Sequence, residues 1–345
     1  MSATAELVEL AESVFAYAAD AAGAGFDARL WATLEETGLA RLTLSEDAGG
    51  SGGTFADAAA LLGAAGAFAA RVPLVETDLL AGWLLHAAGL PVPEGPLTAV
   101  AADLGVQRAG DGATVAGAIE RVPWARAAAG IAVLAGEHVV LLEPAAVTVT
   151  EGTNLAEEPR DDVVAVDVSV PAAAVAPTPA GAARELRLRA ALGRSLLIAG
   201  AARGALAASV GYARERVQFG RPIGRFQAVQ QELALAAAEV AAAGAAGAAA
   251  AATAQRDGFA ADSTWVAVAA AKARTSEAAG VVARIAHQVH GAIGFTREHA
   301  LRLLTTRLWA WRDEDGGEAH WQAELGERVL AAGPDALWPL VTGAP

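Results

Sequence analysis

No cysteine occurs among the 345 residues of this chain. That absence excludes disulfides, cysteine-ligated zinc and thiol catalysis together, and it fits a reducing compartment, so the expected location is cytoplasmic. Positive charge is also in short supply: 25 lysines and arginines stand against 39 acids, a net charge of -14. Nucleic-acid phosphates and anionic membrane surfaces would be repelled, and neither is an expected partner. The opening MSATAELVELAESVF has early acids and no basic segment, so no signal peptide is expected there. Leu233 to Ala254 is long enough to test as a membrane span. It carries Glu239 near its middle, alanine is a weak hydrophobe, and no aromatic belt flanks it, so a buried or half-buried helix is the expectation.

Apolar material, by contrast, is abundant. Hydrophobic residues make up 54% of the chain and charged residues 19%, which suffices for a sizeable core and excludes a disordered chain. The length exceeds what one core usually covers, so two or three packed units are expected. Residues 1–92 read as helices, broken by Gly49-Gly50-Ser51-Gly52-Gly53. Pro91, Pro93 and Pro96 mark a boundary. Val164, Val166, Val168 and Val170, interleaved with Ala165, Asp167 and Ser169, then show the period of two of a half-buried strand. HVVLLEP and AVTVTEG, either side of Pro144, read as further strands and Gly110-Asp111-Gly112 as a turn, so 93–177 is a small β domain. Over 178–345 the helical pattern returns. Phe226, Val229, Leu233 and Val240 share one helical face, and another helix runs through Trp265, Val281, Val282 and Ile285 to Val289 until Gly291 and Gly294 break it. The expected fold class is mainly α with a central β domain: an N-terminal helical domain, a small β-barrel or sandwich, and a C-terminal antiparallel helical bundle.

Three stretches carry more than packing information. In YARERVQFGRPIGRFQAVQQELA, Tyr212 to Ala234, helices flank a Gly-Arg-Pro-Ile-Gly loop with Arg216, Arg221, Arg225 and glutamines close by. Guanidinium forks and free N–H groups at helix ends suit a phosphate or pyrophosphate. The same pattern also suits an ordinary charged turn between two helices. In QVHGAIGFTREHALRLLTTRLW, Gln288 to Trp309, the small residues Gly291, Ala292 and Gly294 let backbone come close to another group. His287 and His299 read as surface residues. WAWRDEDGGEAHW, Trp309 to Trp321, sets Asp313, Glu314 and Asp315 before a Gly-Gly pair. Such acids form either a solvated turn or a place where a carboxylate takes up a proton.

The first two stretches, in this order, resemble the C-terminal helical domain of the acyl-CoA dehydrogenase family, whose patterns are R-x-x-F-G-x-x-I-x-x-F-Q and Q-x-x-G-G-x-G-F. Arg216, Phe219, Gly220, Ile223, Phe226 and Gln227 fill the first. Gln288, Gly291, Ala292, Gly294 and Phe295 fill the second, with alanine for its second glycine. LSEDAGGSGG, Leu44 to Gly53, looks like the family's P-E-x-x-G-G-x-G segment with Ser45 in place of proline. The resemblance implies FAD held across a subunit contact in a homo- or hetero-oligomer. It implies Arg216, Gln218, Phe219, Gln227, Gln288, His290, Gly291 and Ala292 near the adenosine and pyrophosphate. For His290 the alternative is a helix-end histidine satisfied by backbone. It also implies α,β-dehydrogenation of an acyl-CoA thioester, a place in lipid metabolism, and an electron-transfer flavoprotein or similar acceptor.

Departures from the family pattern leave the reactive end open. The family's T-E-x-x-x-G-S-D loop has no counterpart in Thr98 to Gly117. Glu151-Gly152-Thr153 imitates the family's E-G-T triplet but lies in the β region and reads as a turn between strands. Counting on from the second pattern, the catalytic base falls on Asp313, or on Asp315 if the glycine is matched, each one methylene shorter than glutamate. An earlier-helix position used by some relatives corresponds to Ala191 to Arg194, where no acid is present. Three readings stay open: an active dehydrogenase with an aspartate base, a non-catalytic partner subunit of a hetero-oligomeric acyl-CoA dehydrogenase, and a flavin-dependent monooxygenase on the same fold. The missing β loop and degraded triplet favour the second.

Overall fold

A computed structural model describes residues 3–19, 25–110, 112–336 and 338–339. Asp111 of the expected Gly110-Asp111-Gly112 turn lies outside the described residues. Helices come first: α1 (Ala3–Ala19), α2 (Ala28–Glu36), α3 (Phe55–Ala67) and α4 (Trp83–Ala87), the last entered through a π-helical segment, Val75–Gly82. Eight strands follow: β1 (Leu97–Ala101), β2 (Gly105–Ala109), β3 (Gly112–Pro123), β4 (Gly130–Ala135), β5 (His138–Leu142), β6 (Thr148–Thr150), β7 (Arg160–Val170) and β8 (Val175–Pro177). Then come α5 (Ala182–Glu215), a hairpin of β9 (Val217–Gln218) and β10 (Arg221–Pro222), α6 (Gln227–Asp257), α7 (Asp262–His290), α8 (Leu301–Asp313) and α9 (Glu318–Ala332). The helical, β, helical order is the one expected.

Packing draws its lines elsewhere than at the limits of those three segments: it forms two compact units. The first gathers α1, Ala59–Ala70 and the chain from Ala191 onward. Its core is built from small and branched side chains such as Ile198, Ala202, Val282, Ile285 and Leu308, with Trp311 among them. Glycine lets α3 and α5 meet backbone to backbone: a Cβ on Gly200 would lie 2.1 Å from the Gly63 carbonyl oxygen, and one on Gly66 2.2 Å from that of Leu197. This close fit is why part of the N-terminal helical segment belongs with the bundle. Both α5 and α6 are long and apolar enough to cross a membrane by length and composition alone. Within the bundle α6 buries Ala236, Ala243, Gly247, Ala250 and Ala254 along one face.

The second unit holds Asp20–Ala58 and Arg71–Ala190. It contains two four-stranded sheets, of order β1-β4-β5-β8 and β2-β3-β7-β6. Only β1 and β4 pair in parallel among the described strands. Val115, Val122 and Val163 from one sheet and Ile131, Val133 and Leu142 from the other share one core, which makes the unit a sandwich. The valine alternation in β7 does not hold one phase. Val166 and Asp167 stand opposite Ala116, and Asp167 takes φ +48, so a bulge leaves Val164 and Val166 exposed while Val168 and Val170 are buried. Only Ala102, Asp103 and Leu104 connect β1 to β2, too few residues for a covering loop.

Candidate functional site

The first motif folds as a tight hairpin at the end of α5. The Arg216 N–H donates to the Tyr212 carbonyl at 2.8 Å, and the Ile223 N–H donates to the Arg216 carbonyl at 2.8 Å. Gln218 pairs with Arg221, leaving Phe219 and Gly220 as the two turn residues at φ +51 and +77. Both central residues need positive φ in such a turn, a role that asparagine and glycine usually fill. A bulky aromatic held there costs roughly 1–3 kcal/mol. Phe219 is nonetheless 92% exposed, its ring meeting only the edge of Phe226 at 6.1 Å among the described residues. The Arg221 guanidinium lies over Phe226 at 4.3 Å. Arg216 and Arg225 are exposed, and neither has a carboxylate partner among the described residues, in a chain where acids outnumber bases. Gln227 begins α6, whose N-cap residue Phe226 supplies no side-chain bond to the free N–H groups.

The second motif closes α7. Gly291 takes φ +66 as its C-cap, and the 3-10 turn Gly291–Phe295 follows. The Tyr212 and His290 rings stack at 4.5 Å, so this turn and the hairpin stand at the same end of the bundle. His290 is buried, its Nδ1 2.8 Å from the Ala286 carbonyl, and burial holds its pKa below the ordinary histidine value. Gln288, Gly291 and Ala292 are exposed beside it. His287 is not the surface residue expected. It shares the inward face of α7 with Ala283 and His290, and its ring is sandwiched between Phe295 at 3.9 Å and Trp309 at 5.1 Å. Its Nε2 meets the Thr305 hydroxyl at 3.0 Å, and its buried Nδ1 has no partner among the described residues. A histidine is polar enough to read as exposed; the helical phase was the signal that placed it inside.

The acidic stretch is a turn between α8 and α9. Asp313 ends α8, is 71% exposed and lies 3.3 Å from Arg312. Asp315 takes φ +57, and its carboxylate accepts from Arg194 Nε at 2.9 Å, while Glu314 lies 3.4 Å from the same guanidinium. Beneath the turn, the Lys272 ammonium donates to the carbonyls of Arg312 at 2.9 Å and Gly316 at 2.7 Å. Burial pushes the Lys272 pKa down to about 8 against the opposing pull of Asp315. The indole N–H of Trp321 donates to the Asp315 carbonyl at 3.0 Å, and Trp309 and Trp311 pack against the bundle core as expected. Arg194 and Lys272 were not among the candidates. Arg194 enters the sequence reading only as the last residue of the Ala191 to Arg194 stretch, which holds no acid.

In the β-containing unit, Glu151-Gly152-Thr153 follows β6 and is held as a turn: Arg126 binds Glu151 and the Gly152 carbonyl, and Asp161 accepts from the Gly152 N–H at 3.1 Å. The Leu44–Gly53 segment is pinned by Asp78, which accepts from the N–H groups of Thr43 at 3.0 Å and Leu44 at 3.3 Å. Burial pushes the Asp78 pKa up to about 6. With both oxygens facing backbone donors, it reads as a structural anchor for the glycine-rich segment.

The profile of the acyl-CoA dehydrogenase C-terminal domain matches residues 187–316. The acyl-CoA dehydrogenase IpdE2 of Mycolicibacterium smegmatis is 30% identical over 288 residues, 82% of this chain and 82% of its own length. Among solved structures, a chain of the ChsE4-ChsE5 complex from Mycobacterium tuberculosis matches with a TM-score of 0.86 at 25% identity, covering 97% of this chain and 98% of that one. Butyryl-CoA dehydrogenase from Megasphaera elsdenii shares the fold, with a TM-score of 0.84 at 19% identity over 96% of this chain and 99% of that one.

Proposed function

Because the chain belongs to the acyl-CoA dehydrogenase family, we propose that it binds FAD at the hairpin end of its bundle and works as an acyl-CoA dehydrogenase or as one subunit of such an enzyme. The observation that carries the FAD assignment is that the guanidiniums of Arg216 and Arg225, in the same motif as the strained, exposed Phe219, are exposed and have no carboxylate partner among the described residues. In a chain of net charge -14, such a site is a place for an anion, and the pyrophosphate of FAD supplies one. Arg216 and Gln218 would bind its phosphates together with the free N–H groups opening α6. Gln288, Gly291 and Ala292 would lie against the dinucleotide, where the absence of side-chain bulk lets backbone come close. When bound, FAD accepts the hydride that leaves the β-carbon of an acyl-CoA thioester. An electron-transfer flavoprotein or a similar acceptor would take up the electrons.

A second reading, a partner subunit without its own base, is favoured by the ion pair that engages Asp315. The matched chain belongs to a complex of two proteins, ChsE4 and ChsE5, and this chain would take a similar place beside a partner.

The FAD assignment is tested by Arg216→Ala. Loss of a charge-assisted bond to phosphate should weaken FAD binding by about 1.5–3 kcal/mol, roughly ten- to a hundredfold in Kd, read by equilibrium dialysis. Unchanged flavin affinity would remove Arg216 from the site.

A further inference from the structure

The turn Gly291–Phe295 gives little of itself to the core: of its five residues only Gly294 is buried. Gly291 has nothing within 4 Å of the place a Cβ would take. His287 meets the turn at two points. A Cβ on Gly294 would lie 3.4 Å from Nδ1 of His287, with the His290 Cβ at 3.0 Å and Leu301 at 3.1 Å closing the same space. The Phe295 ring, 63% exposed, lies within 20° of parallel to the imidazole, and Trp309 lies within 9° of it. Hydrogen bonding fixes which way the imidazole is turned. The Thr305 hydroxyl donates its one hydrogen to the Leu301 carbonyl at 3.3 Å, so it accepts from Nε2 of His287. Nδ1 then carries no proton, and beside Gly294 it meets no acceptor that would call for one among the described residues. Thr305 and Trp309 stand four residues apart on α8, so one helix face supplies both the orienting bond and the stacking ring.

We propose that His287 is a positioning residue: its neutral ring, oriented by Thr305 and stacked between Trp309 and Phe295, holds the Gly291–Phe295 turn in the shape that receives FAD. The inference rests on the FAD reading, because Gly291 and Ala292 are the residues placed against the dinucleotide. The imidazole is buried and acts through the turn. Backbone that meets a ligand must be ordered, and order already present in the free chain does not subtract from affinity. The hydrogen bonds that end the turn stay local: the Thr296 N–H and hydroxyl both donate to the Ile293 carbonyl, at 3.1 and 3.0 Å. They shape the turn without fastening it to α8. The stack on Trp309 does fasten it, and Gly294 has the separate task of leaving room for the imidazole.

Two readouts on the full chain test this: FAD affinity by equilibrium dialysis, and amide hydrogen exchange of the flavin-free chain, with peptides over the turn compared against peptides from the middle of α7. His287→Gln keeps a donor towards Thr305 but loses both ring contacts. It should weaken FAD binding roughly tenfold or more and quicken exchange over the turn, while the middle of α7 exchanges as in the parent. His287→Phe restores the ring and should bring both readouts back to within about threefold of the parent. Phe295→Leu removes the outer ring at an exposed position where folding is not at risk, and should move both readouts in the direction of His287→Gln. The proposal is overturned if His287→Gln folds and matches the parent in both readouts, or if His287→Phe is as weak as His287→Gln. Should His287→Gln not fold, Phe295→Leu decides, and unchanged exchange over the turn overturns the proposal. In the histidine-nitrogen spectrum, the proton of His287 should sit on Nε2; a proton on Nδ1 overturns the orientation by Thr305. A parent chain that holds no FAD, with exchange over the turn behaving as stated, counts against the FAD reading alone.

Discussion

Lys272 shows how a single buried charge makes stability depend on pH in the alkaline range. Its folded pKa of about 8 lies below the ordinary 10.5. Between those values the unfolded chain holds a proton that the folded chain has released. Stability contributed at this site is therefore lowest below 8 and rises with pH up to 10.5. The full effect is on the order of 3 kcal/mol. Lys272→Arg stays charged throughout and should lose that rise. Urea midpoints of parent and variant, measured at steps across this window, should diverge as pH increases; parallel curves would contradict the burial argument. At this scale residue types were legible and their pairings were not. The motif residues Arg216, Phe219, Gln288 and Gly291 could be named from spacing. The Arg194–Asp315 bond joins positions 121 residues apart, and no local pattern announces it.

At the scale of elements, periodicity located the helices and strands, and contact geometry decided how they fit. The end of α7 at His290 follows from Gly291, and β5 and β6 fall where alternation placed them. The bulge at Asp167 escaped because a valine run looks the same whichever phase is buried. The crossing of α3 and α5 was hidden for a related reason: glycine in an alanine-rich helix looks like compositional drift. Gly200 is nevertheless required. Substitution by alanine would gain about 1 kcal/mol of helix propensity. The new Cβ, however, would sit 2.1 Å from the Gly63 backbone oxygen and force the helices apart. Overpacking of this kind typically costs about 1–3 kcal/mol, and the larger Gly200→Val should lie at the upper end. Helical circular dichroism in urea should show both variants unfolding earlier, valine before alanine. A stabilised Gly200→Ala would mean that the crossing is loose.

For the whole molecule, the order of helical, β and helical regions was readable from composition, but their grouping was not, because α1 and most of α3 join a bundle that lies far downstream in the chain. The same scale decides what the hairpin end of that bundle is for. Val217, Phe219, Ile293 and Phe295 are exposed apolar side chains, and all four lie in the two motifs that resemble FAD-contacting segments. Exposed apolar side chains gathered in this way mark a surface that another protein chain covers. Phe219 adds a second argument, since the strain of its backbone is not offset by burial of its ring within one chain. We therefore expect a dimer or a dimer of dimers, with the hairpin at the contact and FAD retention dependent on it. Light scattering at micromolar concentration gives the mass directly. Phe219→Asp would place a charge where an apolar ring is to be covered, so assembly and flavin retention should fall together in that variant. If the parent chain is a monomer that still holds FAD, the hairpin contact is not what completes the site; if Phe219→Asp dissociates the assembly but keeps its flavin, the two roles of the hairpin are separate.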